Sequence, residues 1–341
     1  MIIVNSLLRI DTYDKFDIAY LLDSADYFRI SRAASIRLVS IKLNPESEAE
    51  FFRGDEALTL SVKKKLLEAG LIVSKCNSEF SQNPQYRLDT IREFNWRLAS
   101  EYLARSYDFK FFNYSEDGWR KDSKMMADYL HAEAEPTRYK KHIDAILVSD
   151  VYSVRENLSK HAPITHSPKL EDVFQMVAIT SGVLRWKPLS QGGAVAHKIV
   201  PSGGGRHPTE IYILDLKAAS AFHFCFGDGV FERVATDCGD LFFSCFGTRN
   251  KYVPFDVDYA VIFTCVWARN MFRYREIRTF RSVHMDIGHA VCNMEVLCKK
   301  GGIKSKVQYG INELELEKIL DLEPLIEGVM CALMIGDRSE S

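Results

Sequence analysis

The chain has 341 residues, 47% of them apolar and 26% charged, with a formal net charge of −2. That length carries two domains, or one large domain with an extension, around a sizeable core. The near-neutral balance gives no global electrostatic case for nucleic acid or an anionic membrane, and Met1 to Asn5 lack the charged region and long apolar run of a signal peptide. The longest apolar run, Tyr259 to Trp267, is too short to span a bilayer. Eight cysteines are scattered through apolar contexts without a Cys-x-x-Cys pair. They read as reduced, buried thiols of a cytoplasmic protein, not as disulfides or a zinc site.

In chain order, Ile36 to Leu43 reads as a strand. Leu58 to Ala69 reads as a helix with Leu58, Val62, Leu66 and Leu67 on one side, Lys63 to Lys65 elsewhere, and Gly70 as its stop. Leu71 to Ser74 follows as a short strand, an ending common in winged-helix units. The lysine triplet is more often a solvated face than a phosphate contact. Glu93 to Tyr107 reads as an amphipathic helix with Phe94, Leu98, Tyr102 and Leu103 on one stripe. Asn113 to Lys124 is polar, and Glu133 to Thr137 looks like a linker. The expected organisation is therefore a winged-helix-like domain over 1–135 and a second domain over 136–341.

In the second domain, Asp172 to Val183 is a helix ended by Gly182, and Ile211 to Leu216 and Ala221 to Phe226 are strands. Asp228-Gly229 signals a hairpin turn. Tyr259 to Trp267 is the central strand, and Ser282 to Lys299 the clearest helix, stopped by Gly301-Gly302. Glu313 to Leu320 is a shorter helix, and Val329 to Ile335 a last buried strand. The alternation predicts a sheet covered by helices.

Two stretches stand out. Pro201-Ser202-Gly203-Gly204-Gly205-Arg206-His207-Pro208-Thr209-Glu210 puts three glycines between two prolines and feeds an apolar strand. Glycine reaches backbone angles other residues avoid and admits close approach, and successive N–H groups there can form a nest for electron-rich atoms. The loop is either a cofactor wall or a plain tight turn. In Met271 to Arg281 four arginines, Arg273, Arg275, Arg278 and Arg281, alternate with aromatics. That pattern suits either an RNA or phosphate patch or, more commonly, a surface arm of cation–aromatic stacks and ion pairs.

Taken together, Pro201 to Glu210, Arg273-Tyr274-Arg275, Asp286-Ile287-Gly288-His289, Gly301-Gly302-Ile303 and Leu333 to Asp337 resemble, in order and spacing, the SagB/ThcOx-type dehydrogenases of the nitroreductase superfamily, in the peptide maturation dehydrogenase branch. The resemblance covers roughly Val151 to Asp337. It implies an α+β nitroreductase-like fold, an obligate homodimer with FMN at its interface, and oxidation of a ribosomally made precursor peptide, usually azoline to azole, alongside other maturation enzymes. By the same resemblance Pro201, Ser202, Gly203 and Gly204 line the flavin ring, and Gln308, Tyr309 and Gly310 lie near its N5 edge.

Two departures carry consequences. The family's Arg-Arg-Ser phosphate segment becomes Arg155-Glu156-Asn157 here, with Lys160 nearby. Arg155, Asn157 and Lys160 remain the candidate phosphate ligands, while Glu156 would repel a phosphate it faced. Arg273 stands where a lysine is usual, and arginine cannot act as a base. Tyr274 is then the candidate base, with Arg273 favouring its phenolate. The alternative is a flavin-free scaffold of the same fold that binds a precursor peptide or partner enzymes. His284 and His289 lack a metal-binding spacing with a carboxylate, so no metal site is expected. His207 replaces an aromatic residue and either touches substrate or packs. No Gly-x-Ser-x-Gly or Walker pattern occurs.

Overall fold

The computed structural model describes residues 2–4, 8–12, 16–21, 27–43, 59–69, 71–74, 99, 102, 103, 106, 111–140, 164, 166–188, 194–239, 244–246 and 253–338. The chain divides into two compact units, Met1–Phe111 and Phe112–Ser341. The expected division lay near residue 135, so the stretch from 112 to 135 goes with the second unit.

In the first unit, strands β1 (Ile2–Val4), β2 (Leu8–Thr12), β3 (Asp17–Leu21) and β4 (Tyr27–Ile30) precede helix α1 (Arg32–Leu43), helix α2 (Leu60–Glu68) and strand β5 (Ile72–Ser74). β2, β3 and β4 form one antiparallel sheet, and β1 pairs antiparallel with β5. The strand expected over 36–43 is instead the body of α1. Its N-terminus is fixed when Ser31 Oγ accepts the Ala34 N–H at 3.2 Å. Ala34, Ser35 and Leu38 are then buried one turn apart, while Ile36 and Val39 face solvent. Helical spacing of small and apolar residues outweighed the β propensity of the branched ones. Thr59 caps α2 by accepting the Val62 N–H at 3.3 Å. Lys63 is buried in that helix, so only Lys64 and Lys65 of the triplet keep the solvated role. Gly70 lies outside the described residues, and of the helix expected over 93–107 only Ala99, Tyr102, Leu103 and Ser106 are described, all helical.

In the second unit, helix α3 (Gly118–Ala132) comes first, where a polar stretch was expected. Asp122, Met125, Met126 and Tyr129 form its inward stripe, and Asp122 is buried. Helix α4 (Leu170–Ser181) follows, then the hairpin of β6 (Val183–Pro188) and β7 (Ala194–Lys198), and a single 3-10 turn over Gly203–Gly205. The main sheet contains β8 (Thr209–Asp215), β9 (Ser220–Cys225), β10 (Val230–Ala235), β11 (Val257–Val266), β12 (Ile303–Gln308) and β13 (Glu327–Arg338). Helices α5 (Trp267–Met271), α6 (Thr279–Gly301) and α7 (Glu313–Ile319) lie between the last strands. Its order is β10-β9-β8-β11-β13-β12, with every pairing antiparallel. This is the α+β class expected.

Each face of the sheet buries its own apolar set. Ile211, Ile213, Val261, Phe263 and Leu333 pack against Val177 of α4 and Val283, Ile287 and Met294 of α6. Tyr212, Leu214, Ala260, Ile262 and Met334 pack with Leu316 and Ile319 of α7. Burial on both faces explains the unbroken apolar run of β11, and each such side chain contributes about 1.5–3 kcal/mol. Gly302, at φ 72°, ends α6 in the left-handed conformation that glycine reaches without strain. Among the cysteines expected to be buried, Cys292 is exposed on α6.

Candidate functional site

The triple-glycine turn sits at the entry to β8 and is braced from α6. Ser202 Oγ accepts the His207 N–H at 2.9 Å, and Asp286 Oδ2 accepts the Gly203 N–H at 3.3 Å. Burial raises the Asp286 carboxyl, and its hydrogen bonds from Ser202 and Gly203 hold the rise in check. The Gly205 N–H goes to the Ser202 carbonyl at 3.0 Å. The nest expected of this loop is therefore corrected in part: the N–H groups of Gly203 and Gly205 already have acceptors inside the fold. Gly203 to Gly205 form a short 3-10 turn with Gly204 at φ 62° and Gly205 at φ 63°.

The arginine arm lies against this turn. A Cβ added to Gly204 would stand 2.3 Å from Tyr274 Oη, and one added to Gly203 would meet Ser282 at 3.4 Å. Two segments far apart in sequence, each singled out for chemistry, thus meet with a phenol oxygen on a bare backbone face. Gly204 and Pro201 are exposed there, and Tyr274 is half-buried. Asn270 holds the arm in place. Its carbonyl accepts the Tyr274 N–H at 3.0 Å, and its amide donates to Thr279 Oγ1 at 2.9 Å and Ser282 Oγ at 3.2 Å.

Helix α3 supplies the arm's counter-charges, which the sequence reading missed. Arg273 Nη2 donates to both oxygens of Asp122 at 2.8 Å. Burial opposes the Arg273 charge, but Asp122 and Tyr274 together more than compensate, so the guanidinium is held even more firmly protonated than usual. Arg273 Cζ lies 5.4 Å from the Tyr274 ring centroid. Arg275 pairs with Glu133 and stacks 3.6 Å over the Tyr129 ring, and Arg206 pairs with Glu135 at 2.5 Å. The commoner reading of the arginine pattern, ion pairs and aromatic stacks, is what Arg273 and Arg275 show. The Asp122-Met125-Met126-Tyr129 spacing was the available signal for α3.

Replacing Gly204 by Ala is expected to be costly. The left-handed φ alone costs a Cβ-bearing residue about 1–2 kcal/mol, and the new methyl must also expel the Tyr274 hydroxyl. Thermal melting of the variant, with a lowered midpoint, checks this.

The remaining expected residues are dispersed. Arg155, Asn157 and Lys160 lie outside the described residues. Gln308 is buried at the end of β12, and Tyr309 and Gly310 beyond it are exposed. β12 is an edge strand three positions from β8 in the sheet, a lateral separation of about 14 Å. One chain therefore does not bring Gln308 to Gly310 against the glycine turn. His207 packs: it is buried at φ 46°, with Nε2 2.8 Å from the Ala196 carbonyl oxygen, and burial beside Lys198 pushes its pKa down to about 3.

Behind the turn a cavity of about 20 Å³, room for one water, is lined by Ser181, Lys198, Ser202, Thr209 and Asp286 among others. Lys198 Nζ donates to Ser181 Oγ at 3.3 Å and lies 3.1 Å above the Phe226 ring. Desolvation pulls its pKa from 10.5 down to about 7, against the attraction of Glu210. Between about pH 7 and 10.5 the unfolded chain carries a lysine proton that the folded chain has released, so this group makes stability rise with pH across that window. Lys198→Met should therefore melt several degrees above the parent at pH 6, with the gap narrowing by pH 9. Melting curves at the two pH values test the sign.

The opposite sheet face carries a buried ionic row. Arg269 Nη2 meets Glu210 Oε1 at 2.5 Å, and Arg269 also donates to the carbonyls of Thr137 and His207. Glu210 Oε2 lies 3.0 Å from His223 Nε2, and His223 Nδ1 lies 3.1 Å from Glu232 Oε1. Burial alone would raise Glu210, but Arg269, His223 and Lys198 hold it down to about 2. Nearby, Tyr212 and Thr264 donate to Glu327 at 3.1 and 2.6 Å, and Lys140 pairs with the same carboxylate. This row borders a cavity of about 990 Å³.

No protein-family model matches the chain. Among curated proteins, the trifolitoxin-processing protein TfxB of Rhizobium leguminosarum bv. trifolii is 26% identical over 261 residues, covering 70% of this chain and 69% of TfxB. A putative nitroreductase from Anabaena variabilis superposes with a TM-score of 0.48 at 16% identity, over 64% of this chain and 46% of that one, so the chain spans less than half of that structure's length. A chain of the E. coli microcin synthetase McbBCD complex with truncated pro-MccB17 bound gives a TM-score of 0.44 at 15% identity, over 79% of this chain and 98% of that one. The chain is similar to SagB-type peptide-maturation proteins of the nitroreductase superfamily. No helix among the described residues is long and apolar enough to cross a membrane.

Proposed function

We propose that this protein is an FMN-dependent oxidoreductase that dehydrogenates a ribosomally made, modified peptide, of the azoline-to-azole kind. The observation that carries the reading is the contact of Tyr274 Oη with the Gly204 face. A bare backbone wall touched by one phenol suits a flat ring system once that phenol moves aside, which leaves a proton acceptor beside the ring. Ser202, Gly203 and Gly204, with Pro201 before them, would hold the ring, and Arg155, Asn157 and Lys160 the phosphate. Bound FMN would supply a two-electron hydride acceptor. Tyr274 takes the proton lost from the neighbouring atom of the substrate, and Arg273, anchored by Asp122, fixes the phenol's position and charge environment. Loss of one hydride and one proton makes the ring aromatic.

The same reading makes the protein a homodimer. Gln308, Tyr309 and Gly310 can reach the ring's edge only from a second copy, since within one chain they stand three strands from β8. Precursor peptide and other maturation enzymes are the partners, in keeping with the processing role in the name of TfxB.

One observation favours a second reading, a flavin-free scaffold that binds precursor peptide or partner enzymes. The phenol rests directly on Gly204, so a ring stacked there must displace it sideways. The experiment that decides is the colour of the purified protein. A yellow protein that releases FMN on denaturation supports the enzyme. A colourless protein whose fluorescence titration with FMN shows no binding overturns it and leaves the scaffold.

A further inference from the structure

The ionic row on the sheet contains three convergent donor atoms. His223 and Cys225 lie two apart on β9 and so share a face, and Glu232 on β10 is the direct cross-strand partner of His223. His223 Nδ1, Cys225 Sγ and a Glu232 carboxylate oxygen all fall within 4.8 Å of one another, and all three residues are buried. Nδ1 is 3.1 Å from Glu232 Oε1 and 3.4 Å from Cys225 Sγ. With metal–ligand lengths of about 2.0–2.3 Å, a tetrahedral zinc site has ligand–ligand edges of about 3.4–3.6 Å. The two edges from Nδ1 lie within a few tenths of an ångström of those lengths, and the Cys225–Glu232 edge is at most 4.8 Å.

The outer contacts match as well. The far ring nitrogen, Nε2, faces Glu210 Oε2 at 3.0 Å, and Glu210 is gripped by Arg269 at 2.5 Å. A carboxylate that accepts the Nε2–H leaves Nδ1 as a lone pair, which is how metal-binding histidines are oriented. That lone pair then confronts an anionic oxygen at 3.1 Å, and two acceptors so close require a positive centre between them. A proton on Nδ1, shared between the oxygen at 3.1 Å and the sulfur at 3.4 Å, is one such centre. A metal ion in the same place would bind all three atoms directly. His223 and Glu232 border the 990 Å³ cavity, which gives an entry path.

We propose that His223 Nδ1, Cys225 Sγ and Glu232 Oε1 form a Zn(II) site, with Glu210 as the positioning carboxylate and the fourth position open to the cavity. The ligand set of imidazole, thiolate and carboxylate selects a borderline-soft, tetrahedral ion. This proposal stands apart from the flavin reading, because it uses neither the glycine turn nor Tyr274.

The test uses the full-length protein, stripped with chelator and loaded with Co(II) as a spectroscopic substitute. One equivalent of cobalt should bind, with intense visible bands of a tetrahedral ion and a thiolate-to-cobalt charge-transfer band. Equimolar zinc should displace it. Cys225→Ser should abolish the charge-transfer band, and Glu210→Gln should weaken metal affinity by about 10–100-fold. Circular dichroism of both variants reports folding. Should Cys225→Ser be poorly folded, His223→Gln provides the second reading, with loss of the visible bands expected. Absence of stoichiometric binding, or a charge-transfer band that survives Cys225→Ser, overturns the proposal and leaves a proton as the bridging charge.

Discussion

Tyr274→Phe should lower turnover by at least about 10²-fold, the contribution expected of a positioned acid–base group, while FMN affinity changes little. The substitution removes one oxygen and keeps the ring that packs beside Arg273. The phenol oxygen sits over Gly204, so the loss falls at the face proposed to carry the chemistry. Arg273 cannot substitute, since Asp122 binds its guanidinium through two hydrogen bonds and holds it protonated. Single-turnover reduction of bound flavin by substrate separates this step from binding. Normal flavin reduction in the variant would remove Tyr274 from the mechanism. Retained FMN binding with lost reduction would support it.

Glu210→Ala should be the most destabilising single change, costing about 3–5 kcal/mol, the range for removing one partner from a buried ion pair. Glu210 is only 1% exposed, and it faces Arg269 on one side and His223 on the other. Its removal leaves the Arg269 guanidinium, 2% exposed, without its carboxylate in the fold's interior. Urea unfolding measures the loss as a lowered midpoint at unchanged slope. The wild-type contribution also has a definite pH sign. The Glu210 pKa is held near 2 in the folded chain, below its ordinary value of 4.5. Its stabilisation is therefore complete above about pH 4.5 and fades as pH falls toward 2. A variant as stable as the parent at pH 7 would contradict this account of the row.

What was legible in the sequence was whatever periodicity or backbone chemistry alone determines. Val283, Ile287, Ala290, Val291, Met294 and Leu297 recur at helical spacing and do line the buried face of α6, and Gly302 stops that helix as expected. The turn at Asp228-Gly229 likewise joins β9 to β10. The failures have physical causes too. Ile36, Val39 and Ile41 suggested a strand in α1, although the decisive signals were the Ser31 cap and the spacing of Ala34 and Leu38. α3 was missed because its key inward residue is a carboxylate, Asp122, whose partner lies in an arm far along the chain. β12 escaped because Ile-Lys-Ser-Lys-Val-Gln mixes charge into a sheet edge, where lysines commonly guard against unwanted pairing.

The candidate site divides along the same line. Ser202, Gly203, Gly204, Arg273 and Tyr274 were all singled out beforehand, and they are neighbours in space. Their braces, Asp286 within a quoted motif and Asn270, Ser282 and Asp122 outside it, are tertiary facts with no local signature. The expected nest is only partly available for a similar reason, since a distant carboxylate, Asp286, claims the Gly203 N–H.

The placement of Gln308 on the rim of the sheet, remote from the glycine turn, has a genetic consequence. If catalysis needs one surface from each copy, a lesion at Tyr274 and a lesion at Gln308 damage different halves of the same workplace. Two inactive mutants mixed and allowed to exchange subunits would then regain activity, because some hybrid pairs contain one undamaged set.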